Sequence, residues 1–180
     1  AATLAFSTIA NNDKVGVIFF SDKVEKFIPA QKGKTHVLHI IRELLSFEPS
    51  SSGTDIAQAL QYFANAQKRH CTAFLISDFI GSGTMYKPLL IASNRHELNA
   101  IQIYDRREAE LPNVGLVKFH DAETGGDLWV DTSIAAVRNE YAKTWNDNQN
   151  ELQQLFTRTG VNNISIRTDE DYVKALMHLF

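Results

Sequence analysis

The chain has 180 residues, of which 44% are hydrophobic and 22% charged, and its formal net charge is −3. This length fits one domain, residues 1–180, with a substantial buried core. No apolar run reaches the ~20 residues of a membrane span, and no basic stripe indicates a nucleic-acid surface. The one cysteine, Cys71, excludes an intrachain disulfide. We therefore expect a soluble, cytoplasmic protein that binds no nucleic acid.

The first third of the chain alternates between helical and strand patterns. Apolar residues recur at helical spacing in residues 1–12 and again over 34–47 and 54–67, which predicts three helices. The run "KVGVIFF", residues 14–20, is apolar throughout and predicts a strand covered on both faces. The segment "VEKFIP", residues 24–29, carries charges and a proline, which are typical of a strand at the edge of a sheet.

Two apolar strands predicted in the middle of the chain each end on an acid. They are "TAFLIS", residues 72–77, followed by Asp78, and "LNAIQIYD", whose last residue is Asp105. Between them, residues 85–96 predict a helix, in which Pro88 is tolerated because it falls in the first turn.

The last third of the chain has a different hydrophobic pattern. Within residues 114–131, two segments in which apolar and polar residues alternate flank a glycine-rich turn, which predicts a β-hairpin. A long amphipathic helix should run from Ile134 to a stop at Gly160, followed by a strand, "NISIR". A final helix is predicted behind Thr168 and Asp171, which have capping-box spacing.

Fully apolar strands that alternate with amphipathic helices indicate a mostly parallel sheet with helices on both faces. The sequence therefore predicts a three-layer, Rossmann-like α/β domain in which the hairpin is an insertion.

The strand-end acids are candidates for a cation site. In open α/β sheets, the functional crevice lies beyond the carboxyl ends of the strands. Asp78 and Asp105 follow strands, and Thr54 lies in a loop that should enter its helix from the same side. Carboxylate and alcohol oxygens suit Mg²⁺. An aspartate after a strand is equally a common turn former, and Thr54-Asp55 could simply cap a helix.

Several separated segments together resemble a known family. In order and spacing they are similar to a von Willebrand factor A-like domain, and more specifically to the bacterial family of unknown-function proteins associated with MoxR-type AAA+ ATPases. The segments are "NNDKVGVIFFSDKVEKFIPAQKGKTHVLHIIRELLSFEP", "GTDIAQAL", "FLISDF" and "RTDEDYVKALMHLF".

The resemblance implies a non-enzymatic protein-interaction domain that works as an adaptor of such an ATPase for an unknown client. Domains of this kind usually carry a metal-ion-dependent adhesion site, in which Thr54 and Asp78 match two of the ligands of Mg²⁺ or Mn²⁺. The partner-facing rim would then comprise Asp22, Asp55 and the glycines Gly81 and Gly83.

The sequence departs from that pattern in one respect. The site's Asp-x-Ser-x-Ser motif is absent from the chain, and the first strand, which is central in such sheets, is missing. We therefore expect a carboxy-terminal fragment that by itself binds the metal weakly or not at all. Since neighbouring strands would be left with unpaired backbone groups, we also expect a rearranged sheet or a homodimer through the exposed sheet.

Two other functions stay open. One is a Mg²⁺-dependent hydrolase that uses Asp78 with Asp22 or Asp105, although no nucleophile–base pair accompanies these acids. The other is a structural fragment that retains no activity.

Overall fold

The structure is a computed structural model that describes residues 1–81, 84–120 and 125–177. The chain divides into two compact units. The first comprises residues 1–68 and 81–88, and the second comprises residues 69–80 and 89–180. Each unit is described by itself.

The first unit is an antiparallel two-stranded sheet with three helices. Its elements are α1 (Ala2–Ala10), β1 (Val15–Phe20), β2 (Val24–Gln31), α2 (Lys34–Ser46) and α3 (Ile56–Ala66). Strands β1 and β2 pair with Ile18 opposite Phe27, and the register shifts between Val15 and Val17. Gly16 lies at this shift, where a Cβ atom would come within 2.8 Å of the Ala30 nitrogen and the Ile28 oxygen. The close approach of the two backbones thus explains the glycine.

The core of the first unit joins the sheet to α2. Phe19, Ile28 and Ile40 are buried together, and the rings of Phe19 and Phe47 stack with centroids 4.8 Å apart. In α3, Ile56 is fully buried. Apolar positions of the predicted strands and helices thus form this core, whereas Leu38 and Leu45 of the predicted α2 stripe are exposed.

The second unit is built on a parallel three-stranded sheet of order β3-β4-β7. Helix α4 begins at the end of the first unit and continues into the second. The elements are β3 (Thr72–Ser77), α4 (Tyr86–Arg95), β4 (Glu97–Tyr104), α5 (Arg106–Ala109), β5 (Leu116–His120), β6 (Asp127–Asp131), α6 (Ala135–Thr159), β7 (Asn162–Arg167) and α7 (Tyr172–Met177).

The central strand of this sheet is the most buried one. Ala100 and Ile101 of β4 are at most 2% exposed, and β4 pairs in parallel with β3 on one side and with β7 on the other. Phe79, just after β3, packs edge-to-face on Phe156 of α6 at a centroid distance of 5.3 Å. The α/β class and the parallel arrangement predicted from the apolar runs are confirmed.

Most of the predicted local signals are confirmed. Strands β5 and β6 form the antiparallel hairpin, Pro88 lies in the first turn of α4, and Gly160 ends α6 in the left-handed conformation with φ 66°. The predicted cap of the last helix is wrong, because α7 begins only at Tyr172. Asp171 accepts a hydrogen bond from the Val173 N–H at 3.0 Å, whereas Thr168 bonds elsewhere.

Strands β1 and β3 each pair along one edge only. Within residues 1–81, 84–120 and 125–177, β1 pairs with β2 alone and β3 pairs with β4 alone. The family resemblance implies that the missing first strand would lie between these two strands.

Candidate functional site

Asp78 ends β3 by closing a tight turn. Its Oδ1 accepts a hydrogen bond from the Ile80 N–H at 3.1 Å, and the Ser77 hydroxyl accepts one from the Phe79 N–H at 3.1 Å. Phe79 has a φ of 61°, a left-handed conformation that costs a residue with a side chain about 1–2 kcal/mol. The buried packing of its ring offsets this cost. The strand can therefore end on an acid because the carboxylate accepts the N–H that the turn exposes.

The Asp78 side chain is also exposed. Among the residues that the structure describes, only its Oδ1 accepts hydrogen bonds, from Ile80 and at 3.4 Å from the Ser77 hydroxyl. Oδ2 has no such partner there. Among the described residues, the carboxylate is thus fixed through one oxygen, and the other accepts no hydrogen bond from them.

A buried glutamine anchors this turn to the sheet. Gln102 of β4 is 3% exposed. Its Nε2 donates to the Asp78 carbonyl at 3.2 Å, and its Oε1 accepts from the Ser165 hydroxyl of β7 at 2.9 Å. One side chain therefore joins the carboxyl ends of all three strands. The sequence analysis missed this residue, although an amide inside an apolar strand is a signal that a buried partner exists.

Asp105, the second strand-end acid, is a structural cap. Its Oδ1 accepts from the Arg107 N–H at 2.8 Å and its Oδ2 accepts from the Thr168 hydroxyl at 3.0 Å. Glu108 completes a capping box with it. These hydrogen bonds, first that of Arg107 and then that of Thr168, lower the pKa of Asp105. Both oxygens of Asp105 are therefore committed within the fold.

In the first unit, the loop before α3 lies against the turn after β1. Asp55 caps α3 by accepting the Gln58 N–H at 2.9 Å, which confirms the capping interpretation for Asp55. The Asp55 N–H in turn donates to the Ser21 carbonyl at 2.8 Å. A Cβ atom placed on Gly53 would lie 3.5 Å from the Cβ of Asp22. The structure thus brings the Asp22 turn and the Asp55 loop together, with Thr54 exposed between Gly53 and Asp55.

Glu25 reinforces this contact and was missed by the sequence analysis. Its Oε1 accepts from the Ser21 hydroxyl at 2.7 Å and from the Ser50 N–H at 3.0 Å. The Ser50 hydroxyl lies 2.7 Å from Oε1 and 2.8 Å from Oε2. These bonds, first that of Ser21 and then that of Ser50, lower the pKa of Glu25. No local signal links positions 25 and 50.

The predicted site residues fall in both units. Asp22, Thr54 and Asp55 belong to the first unit, as does Gly81, which has a φ of 64°. Asp78 belongs to the second, and Gly83 lies outside the described residues. Within the described ranges, no group of three or more histidine, cysteine, aspartate or glutamate side chains could hold a metal ion.

A family profile described as "Protein of unknown function DUF58" matches residues 1–151. The chain belongs to this family. Curated relatives include the uncharacterized protein Rv1480 of Mycobacterium tuberculosis, 28% identical over 96% of this chain and 55% of that protein. Another is the uncharacterized protein MAV169 of Mycobacterium avium, 29% identical over 81% of this chain and 87% of that protein. The DUF58 chain thus spans about half the length of the longer relatives.

Two solved structures share its fold. BatB, a conserved hypothetical protein from Bacteroides thetaiotaomicron, has a TM-score of 0.55 and 17% identity over 98% of this chain and 82% of that one. An aerotolerance-related membrane protein from Bacteroides fragilis has a TM-score of 0.56 and 19% identity, over 98% and 83% of the two chains. With the strand order above, these similarities support a von Willebrand factor A-like fold. None of the described helices is long and apolar enough to cross a membrane.

Proposed function

We propose that this DUF58 chain is a non-enzymatic protein-interaction domain that works as an adaptor of a MoxR-type AAA+ ATPase. Asp78 and Thr54 are two ligands of a Mg²⁺ or Mn²⁺ ion whose remaining positions are filled by an Asp-x-Ser-x-Ser segment of the full-length protein, by water and by the partner. The rim around this ion consists of Asp22, Asp55, Gly81 and Gly83.

The difference between the two strand-end acids supports this proposal best. Both oxygens of Asp105 accept hydrogen bonds from the fold, whereas Asp78 uses only Oδ1 among the described residues. An oriented carboxylate with an available oxygen can bind a hard cation without losing a structural bond. A cation held by few anionic ligands stays partly unneutralised, so it attracts an acidic group of a partner as a further ligand.

The same difference counts against the hydrolase that would pair Asp78 with Asp105. A hydrolase built on Asp78 and Asp105 needs Asp105 to be available for a metal or a proton, and its oxygens are already committed to capping α5 and to Thr168. The proposal places the domain in the cytoplasm, where an ATP-driven partner has access to its nucleotide.

The binding test uses an isosteric substitution in the full-length protein. Asp78→Asn keeps an oxygen for the Ile80 N–H and removes the charge, so the turn and the melting temperature should be preserved while binding of the co-expressed ATPase is lost. Asp105→Asn is the matched control, a strand-end acid of the same sheet, and it should leave binding intact. Full ATPase binding by Asp78→Asn would contradict the proposal.

We further propose that β3, which pairs with β4 alone among the described residues, accepts an added strand on its other edge. In the 180-residue chain by itself, that strand comes from a second copy of the chain. Strand β3, "TAFLIS", has neither the charge nor the proline with which natural edge strands resist pairing. The opposite edge, β7, carries Asn162 and Arg167. Sedimentation equilibrium of the 180-residue chain should therefore show a dimer, and a monomer at every concentration would refute this pairing.

A further inference from the structure

Glu25 is the acceptor at the centre of a small hydrogen-bonded cluster in the first unit. Its carboxylate faces the Ser21 hydroxyl and both the N–H and the hydroxyl of Ser50, at distances of 2.7–3.0 Å. Ser21 is itself buried, at 5% exposure. Glu25 therefore connects the turn that follows β1 with the start of the loop that leads into α3.

A second, independent connection lies at the other end of that loop. The Asp55 N–H donates to the Ser21 carbonyl at 2.8 Å, and Asp55 is then fixed as the cap of α3. The loop is thus held at Ser50 through a side chain and at Asp55 through the backbone. Thr54 lies between these two points, so its position depends on both.

We propose that Glu25 is a positioning residue that holds loop 50–55, and with it Thr54, against the turn after β1. The link to partner binding rests on the proposed function, since it is Thr54 that would bind the cation there. Glu25 is not itself a metal ligand in this account. Its Oε1 accepts from the Ser21 hydroxyl and from the Ser50 N–H, and the Ser50 hydroxyl adds a third hydrogen, so the carboxylate is used to join the loop to the turn.

Hydrogen exchange of the full-length protein, followed by mass spectrometry, tests the positioning role. In Glu25→Ala, exchange of peptides that cover residues 50–55 should rise about tenfold or more, because local opening follows from the loss of the bonds that hold a loop. Glu25→Gln keeps an oxygen for the Ser50 N–H and should restore part of the protection. Glu43→Ala is the matched control, since Glu43 pairs with Lys26 in the same unit, and it should leave loop 50–55 unchanged.

A double substitution separates positioning from general destabilisation. If Glu25 acts through Ser50, then Glu25→Ala and Ser50→Ala together should raise exchange in the loop no more than Glu25→Ala alone. Exchange in the loop that equals the wild type in Glu25→Ala would overturn the inference. Exchange that rises equally throughout β1 and β2 would overturn it too, because the effect would then be global unfolding.

Binding of the ATPase distinguishes the two proposals. Under both, Thr54→Ala abolishes binding and Glu25→Ala weakens it several-fold. Loss of binding in Thr54→Ala with full binding in Glu25→Ala overturns the positioning role. Full binding in Thr54→Ala contradicts the proposed function instead, and the exchange results then decide on Glu25 by themselves.

Discussion

Replacement of Gln102 by alanine should destabilise the second unit strongly, because one side chain supports three strand ends. The substitution removes two hydrogen bonds, to the Asp78 carbonyl and from the Ser165 hydroxyl, each of which contributes about 1 kcal/mol. It also removes the packing of a side chain that is 3% exposed, and one buried methylene alone contributes about 0.8 kcal/mol. Together these losses amount to about 3 kcal/mol.

Urea denaturation followed by circular dichroism measures this cost, and a double-mutant cycle with Ser165 isolates the hydrogen bond. Ser165→Ala alone should cost about 1 kcal/mol and almost nothing in the Gln102→Ala background, because its acceptor is then already gone. A cost of Gln102→Ala below about 1 kcal/mol would refute the anchoring role. Equal costs of Ser165→Ala in the two backgrounds would refute the bond itself.

Three further predictions concern backbone and titration. Gly16→Ala should cost about 1–3 kcal/mol in urea denaturation, since its Cβ would lie 2.8 Å from backbone atoms of Ile28 and Ala30; a neutral result would show that the two strands can move apart. Gly160→Ala should cost about 1–2 kcal/mol, because φ is 66° there, and an unchanged denaturation midpoint would contradict this. Burial, and then the charges of His70 and Arg95, lower the pKa of His96 below 6.5. The folded state therefore binds fewer protons than the unfolded state, and the melting temperature should fall as pH drops below about 6.5. The fall should be shallower in His96→Gln, and an equal fall in both proteins would exclude His96 as its cause.

The sequence was most informative where one residue's own chemistry decides the local structure. The apolar runs of β3 and β4, the hairpin and the stop at Gly160 all depend on residues close in the chain, and they were predicted correctly. The cap at Asp55 is also local, and it was one of the alternatives that the sequence left open. Thr168 was wrongly predicted to cap the last helix together with Asp171, whereas Asp171 caps that helix without it. Thr168 instead donates to Asp105, 63 positions away, which spacing rules do not include.

The candidate site was less predictable for the same reason. The sequence shows that Asp78 follows a strand. It does not show that Asp105 uses both carboxylate oxygens in hydrogen bonds whereas Asp78, among the described residues, uses one. That difference arises because Thr168 and Arg107 reach one acid, while Gln102 supports the other through its backbone carbonyl. The contact between Glu25 and Ser50 likewise forms only when β2 and the loop before α3 come together. Hydrophobic periodicity specifies the elements, whereas these polar contacts depend on tertiary packing.

The proposed function requires that Thr54 and Asp78 bind the same cation in the full-length protein. The most direct measurement is a crystal structure of that protein with Mn²⁺, in which anomalous scattering locates the ion. We expect the ion about 2.1 Å from the Thr54 hydroxyl oxygen, with Asp78 bound to it directly or through one water. An ion located elsewhere, or Thr54 and Asp78 side-chain oxygens more than about 8 Å apart, too far for one coordination sphere and a bridging water, would contradict the claim.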